Sequence, residues 1–141
     1  MSIPVLVLLG FAAWALLTLF GSIAVYRWSR ILTGRASIAE WRAYIPQGNA
    51  WYQRAMRAHM NCVENLPVYA AVVVAIVAAG VQSSTIDRLA VAMLAARICQ
   101  TLTHILLPQN NAIAGLRFGF FFVQVACIMA MGGITTVVAL A

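Results

Sequence analysis

Charge is nearly absent from four long stretches of this chain. Ile3 to Tyr26 carries none, Asn65 to Ile86 none, Leu89 to Leu107 only Arg97, and Phe118 to Ala141 none. A helix that crosses the hydrocarbon of a bilayer needs about 20 mainly apolar residues. The pattern therefore predicts an all-α integral membrane protein, a bundle of four transmembrane helices over approximately 3–28, 50–81, 85–107 and 114–140, with the second starting well before its uncharged part. One domain spans 1–141, and nothing is left over for a soluble one.

The breakers between the stretches set the organisation. "SRILTGRASIAEWRAYIPQGNAW" contains Gly34, Pro46, Gly48 and Asn49 among its charges, the composition of a loop at a membrane face. Trp28, Trp41, Trp51, Tyr44 and Tyr52 suit the headgroup layer there. "GVQSSTIDR" reads as a tight connection with Ser84 or Thr85 as a helix cap, and Pro108 in "LPQNNAIAG" breaks the chain between the third and fourth helices.

Composition agrees with this reading: 64% of residues are hydrophobic and 9% charged, against about a quarter charged in an ordinary soluble domain. The net charge of +6 comes from arginine alone, with no lysine. Its distribution carries topology rather than nucleic-acid binding. Arg27, Arg30, Arg35, Arg42, Arg54 and Arg57 flank or fill the first connection, and Arg117 ends the third. By the positive-inside rule both connections face the cytoplasm and both termini lie outside. The first stretch is longer than the 7–15-residue apolar core of a signal peptide and has no basic region before it, so it is expected to remain as a helix. Cys62, Cys99 and Cys127 fall at membrane depth and read as packing residues.

Polar residues inside the helices fall in stripes. Residues three, four and seven apart share a helix face. Arg57, Asn61 and Glu64 form one stripe on the second helix, with Arg54 a turn before. Arg97, Gln100, Thr101 and His104 form another on the third, and Arg117 and Gln124 mark the fourth. A central Arg or Asp facing lipid costs about 2.5–3.5 kcal/mol, so the stripes are expected to face one another or a second subunit. Glu64 and Arg97, the deepest acid and base, are expected to pair. Arg54, Arg57, His104 and Arg117 lie nearer the cytoplasmic ends and would form the mouth of a site. Arginine forks hold carboxylates bidentately; around Asn61 and Gln100 they suit a small anion with carboxylate and amide groups, and a thiol bound there would be acidified.

Blander roles compete with these. The Glu64–Arg97 pair would equally fix helix register. His59 would serve as an interfacial residue bonded to backbone. Arg27, Arg30, Arg35 and Arg42 suit topology and lipid headgroups better than substrate. "LRFGFFF", Met56 and Met60 suit packing. The two His, three Cys and three acids are scattered without metal-ligand spacing.

"RAMRAHMNCVENLPVY" resembles the hallmark of the MAPEG family, the membrane-associated proteins in eicosanoid and glutathione metabolism, approximately E-R-x-x-R-A-H-x-N-x-x-E-x-x-P. The match covers Arg54, Arg57, Ala58, His59, Asn61, Glu64 and Pro67, where the second of four helices begins. "AARICQTLTH" and "GLRFGFFF" resemble the family more weakly. The resemblance implies a homotrimer of four-helix subunits that binds glutathione as co-substrate between subunits near the cytoplasmic side. The activities implied are conjugation to lipophilic electrophiles and reduction of lipid hydroperoxides. Arg57, Asn61, Glu64 and Arg97 would contact glutathione by motif, with Arg54, His59, Gln100 and His104 around it and Arg117 stabilising the thiolate. Departures are visible: Gln100, His104, Phe118, Phe120, Phe121 and Phe122 occupy regions where well-known animal members carry tyrosines, Met60 stands where some have Arg, and Gln53 where Glu is usual.

So short a chain suits a bacterial inner-membrane member, with the lipid bilayer, glutathione, a lipophilic substrate and its own copies as partners. Two other classes stay open. A non-catalytic lipid-binding scaffold of the same family would bind lipid but no glutathione. A small proton-coupled transporter would lose its coupling in Glu64→Gln.

Overall fold

A computed structural model describes residues 1–42 and 45–141; Tyr44, expected in the headgroup layer, lies outside the described residues. Four helices are long and apolar enough to cross a membrane: Ile3–Leu32, Ala50–Ala78, Ser84–Leu106 and Asn111–Leu140. The architecture is all-α, with no strand among the described residues.

Local chemistry sets the boundaries. Pro4 opens the first helix, where its missing N–H costs nothing. Thr18 and Ser22 bond back to the carbonyls of Trp14 and Thr18, and the helix widens to π geometry over Leu19–Ala24. It then continues to Leu32, past the expected end at 28, and stops in a Schellman motif: Gly34 at φ 68°, with Gly34 N–H on Ile31 O and Arg35 N–H on Arg30 O. The second helix starts at the cap Asn49, whose side chain accepts from Tyr52 N–H at 2.8 Å. It ends in the same motif at Gly80. Ser83, rather than Ser84 or Thr85, caps the third helix by accepting from Thr85 N–H; the motif at Gly80 brings the chain into helix one residue sooner than composition suggests. Asn110 caps the fourth helix, which begins at Asn111, three residues before its expected start at 114.

All four helices contribute to one apolar core, in which Phe11, Tyr69, Met93 and Met131 are fully enclosed. The Tyr69 hydroxyl donates to Pro4 O at 3.2 Å, tying the second helix to the start of the first. The outer surface is inverted relative to a soluble protein: Phe20, Val74, Phe118 and Met129 are largely exposed. Such faces are stable only against hydrocarbon.

A second cluster closes the other end of the bundle. Tyr26 stacks on Tyr52 at 4.5 Å between ring centroids, Trp41 meets both rings edge-on, and the Arg27 guanidinium lies 5.7 Å from the Tyr52 ring. Arg27 Nε donates to the Tyr52 hydroxyl at 2.6 Å. Tyr52, expected at the lipid surface, is therefore 3% exposed. The connection before the second helix folds onto this cluster and forms one side of the site.

Candidate functional site

Asn49 starts the second helix so that Gln53, Arg57, Asn61 and Glu64 run along one face, with Tyr52, Met56 and Met60 beside them. That face forms one wall of a cavity of about 530 Å³. Arg42, Ile45, Pro46 and Gln47 of the first connection form the opposite wall, and His104 enters from the third helix. The connection is braced by Gln47, which donates to Glu40 O at 2.6 Å and accepts from Arg42 N–H at 2.9 Å. Gln53 donates to Gly48 O at 3.2 Å. Across the cavity Asn61 Nδ2 lies 3.4 Å from His104 Nε2. Two guanidiniums and one carboxylate thus face a shared space, an arrangement that favours a ligand with one more anionic than cationic group.

The residues expected at this site separate into three sets. Arg57, Asn61, Glu64 and His104 come together on the cavity wall. Arg54 and His59 lie on the same helix but off the cavity, each with a buried nitrogen (Nε of Arg54, Nδ1 of His59) that has no partner. Arg97, Gln100 and Arg117 lie inside the bundle, between the third and fourth helices.

The Glu64–Arg97 pair does not form. Arg97 is 1% exposed; its Nη1 donates to Gln100 Oε1 at 2.9 Å, and its Nε and Nη2 have no partner. Its guanidinium stands 5.5 Å from the Phe11 ring, a cation–π contact in a dry interior. Glu64 is instead an exposed residue of the second helix that lines the cavity. Gln100 is shared: its Oε1 also accepts from Gln124 at 3.1 Å, and its Nε2 donates to Arg117 O at 3.0 Å. Arg97, Gln100 and Gln124 are a buried polar network that joins two helices.

Arg117 closes the end of that joint. Its Nη1 donates to Gln109 Oε1, and its Nη2 to Thr103 O and Leu107 O at 2.9 and 3.0 Å. These are carbonyls at the C-terminal end of the third helix, Thr103 in its last turn and Leu107 at its C-cap. Arg117 therefore acts as a C-terminal clamp on the helix that carries His104.

Sequence reasoning missed Arg42, Gln47 and Gln53. The charge pattern alone suits Arg42 to headgroups, and the signal that could have placed it is the Pro46–Gly48 pair, which turns the connection back over the second helix. Cys62 and Cys127 are buried and unpaired as packing residues, whereas Cys99 is exposed on the outer face. Cys62 lies 3.7 Å from Thr101 Oγ1. Among the described residues no three His, Cys, Asp or Glu side chains gather as a metal site would require.

The sequence pattern of the MAPEG family matches residues 7–137, nearly the whole chain and all four helices. The chain belongs to the MAPEG family. No curated protein and no solved structure gives a significant match. Membership agrees with the four membrane-spanning helices and associates this MAPEG protein with glutathione-related membrane chemistry in general.

Proposed function

We propose that this MAPEG protein is a membrane-bound, glutathione-dependent transferase or peroxidase acting on lipophilic electrophiles or lipid hydroperoxides. One observation carries the reading: Arg57, Asn61 and Glu64 of the family motif share a single cavity with His104 and Arg42. Glutathione has two carboxylates, one ammonium, two amides and a thiol. Arg42 and Arg57 match the carboxylates, Glu64 the ammonium, and Asn61, Gln47 and Gln53 the amides. A cavity of about 530 Å³ is of the size that holds a small organic ligand.

Arg54, His59, Arg97, Gln100 and Arg117 support the site in this reading. Arg54 and His59 keep unpartnered nitrogens on the helix that lines it. Arg97, Gln100 and Arg117 fix the third helix, and the three arginines add positive potential that stabilises a thiolate. The apolar substrate reaches the thiolate laterally from the bilayer, past the exposed Phe118 and Phe122.

The test is a glutathione titration of the purified protein in detergent, with Arg57→Ala alongside. The wild type is expected to bind saturably. Loss of a carboxylate fork weakens binding by about 2–5 kcal/mol when a buried charge pair is broken, so Arg57→Ala shifts the curve tenfold or more. Absence of binding at millimolar glutathione would set the enzyme reading aside in favour of a lipid-holding scaffold.

A further inference from the structure

We propose that the cavity seats both reactants, and that its apolar flank, Met56 and Met60 with Ile45 and Pro46, holds an electrophile carried on an unbranched aliphatic chain. The inference rests on the glutathione reading above. It adds where the second substrate lies and which residues select it.

The lining is sorted by character. At 3.6 residues per turn, Met60 and Met56 lie about 60° and 100° to one side of Arg57 around the second helix, and Asn61 lies about 40° to the other. His104 stands next to Asn61, at 3.4 Å. The charged and amide groups of the helix therefore face the middle and one side of the cavity, and the two thioethers face the other side. Ile45 and Pro46 add apolar surface from the connection. Such surface gains by being covered with something apolar, and glutathione presents mainly charges and amides.

The residue types set the class of the occupant. Methionine is unbranched and flexible, so it moulds to a chain that is itself flexible. Met56 is steadied by Arg27, whose Nη2 donates to its Sδ at 3.8 Å. Met60 is 46% exposed and Ile45 42%, so the flank is open on its outer side. A chain that starts at the sulfur can lie against these residues and continue into the hydrocarbon around the membrane-spanning helix. The sulfur sits near the middle of the tripeptide, and a chain on it meets the flank whichever carboxylate Arg42 and Arg57 each take. Phe118 and Phe122 are exposed and stand outside the lining, so they border the approach and do not form the seat.

S-alkylglutathiones test this, because they are product analogues with the chain already bonded to the sulfur. Dissociation constants of glutathione and of its S-methyl, S-butyl, S-hexyl and S-octyl derivatives are measured by calorimetry at one detergent concentration. The proteins compared are the wild type, Met60→Ala, Ile45→Ala and Phe122→Ala. Met56 is left alone, since its loss would disturb the anchor of Arg27 on Tyr52. Micelles compete for the chain equally in every protein, so the ratio of variant to wild-type constants reports the flank itself.

The ratio is expected to be near one for S-methylglutathione and to grow with chain length in Met60→Ala and Ile45→Ala, reaching about tenfold for S-octylglutathione. Met60→Leu, which conserves volume, is expected to restore it. Phe122→Ala is expected to show no dependence on length. A ratio that does not change with chain length in Met60→Ala and Ile45→Ala, whether small or large, overturns the seat. So does a length dependence in Phe122→Ala as large as that of Met60→Ala, which would put the chain on the fourth helix. Both results leave the glutathione reading intact. Absence of binding by glutathione and all four derivatives overturns both.

Discussion

Arg97 is a cation in the middle of a membrane bundle with one hydrogen-bond acceptor, Gln100. Removing one partner of a buried polar pair costs far more than replacing both, because a charge is left uncompensated. Gln100→Leu is therefore expected to destabilise the folded protein by about 3–5 kcal/mol, and adding Arg97→Met is expected to recover most of that loss. Thermal unfolding in detergent of the two single variants and the double variant checks it. Two independent losses that simply add would show that Arg97 draws its stability from elsewhere, such as the Phe11 ring. This contact was not legible in the sequence. Helical spacing sets which face of the third helix Arg97 shares with Gln100 and His104, and it does so correctly. It does not set which neighbour each side chain reaches, since a long Arg or Gln side chain spans several ångströms and the packing partner changes along the helix. Glu64 and Arg97 stand at comparable depth, which invites a pairing by charge alone; the amide of Gln100 lies nearer and takes the guanidinium instead.

At the scale of elements, the four helices could be read because hydropathy over 20 residues leaves no alternative, and the Asn and Gly caps lie close to where breakers placed them. What composition hid is that the first connection is part of the site. Its geometry hinges on Gly48, at φ 74°, a backbone region in which glycine is at ease and L side chains are strained. A Cβ there would sit 2.6 Å from Tyr52 Cδ1 and 3.1 Å from Tyr26, inside the stacked pair that anchors the connection. Gly48→Ala is thus expected to cost about 1–3 kcal/mol. It should also pull Arg42 and Gln47 off the cavity, weakening glutathione binding beyond the loss of stability. The measurement is the glutathione dissociation constant at a temperature where the variant is still folded. Unchanged affinity would mean that the connection contributes nothing to the ligand. Only the motif on the second helix, with Gln53 at its first position where Glu is usual, was legible as chemistry; Arg42 and Gln47 carry no motif, and their place at the cavity follows from how the connection folds back.

At the scale of the molecule, the decisive feature is which polar groups one subunit leaves uncovered. Arg57 and Glu64 are exposed on the membrane-spanning second helix. An ionised side chain facing hydrocarbon costs about 2.5–3.5 kcal/mol even on the most lenient scale, while a like patch on a second copy with shared ligand between them removes that cost. That argument favours association with further copies; the number three in the homotrimer we propose for this MAPEG protein comes only from the family resemblance. Its consequence is a linkage: a ligand that binds only the assembled form stabilises the assembly by RT ln(1 + [L]/Kd), about 2.7 kcal/mol at a hundredfold excess over Kd. Native mass spectrometry of the purified protein is expected to show three copies, and glutathione is expected to suppress their dissociation on dilution into detergent. Arg57→Ala should abolish that protection without abolishing the trimer. Glutathione bound to a single copy, with dissociation unaffected, would instead show that the cavity between the first connection and the second helix is complete within one subunit.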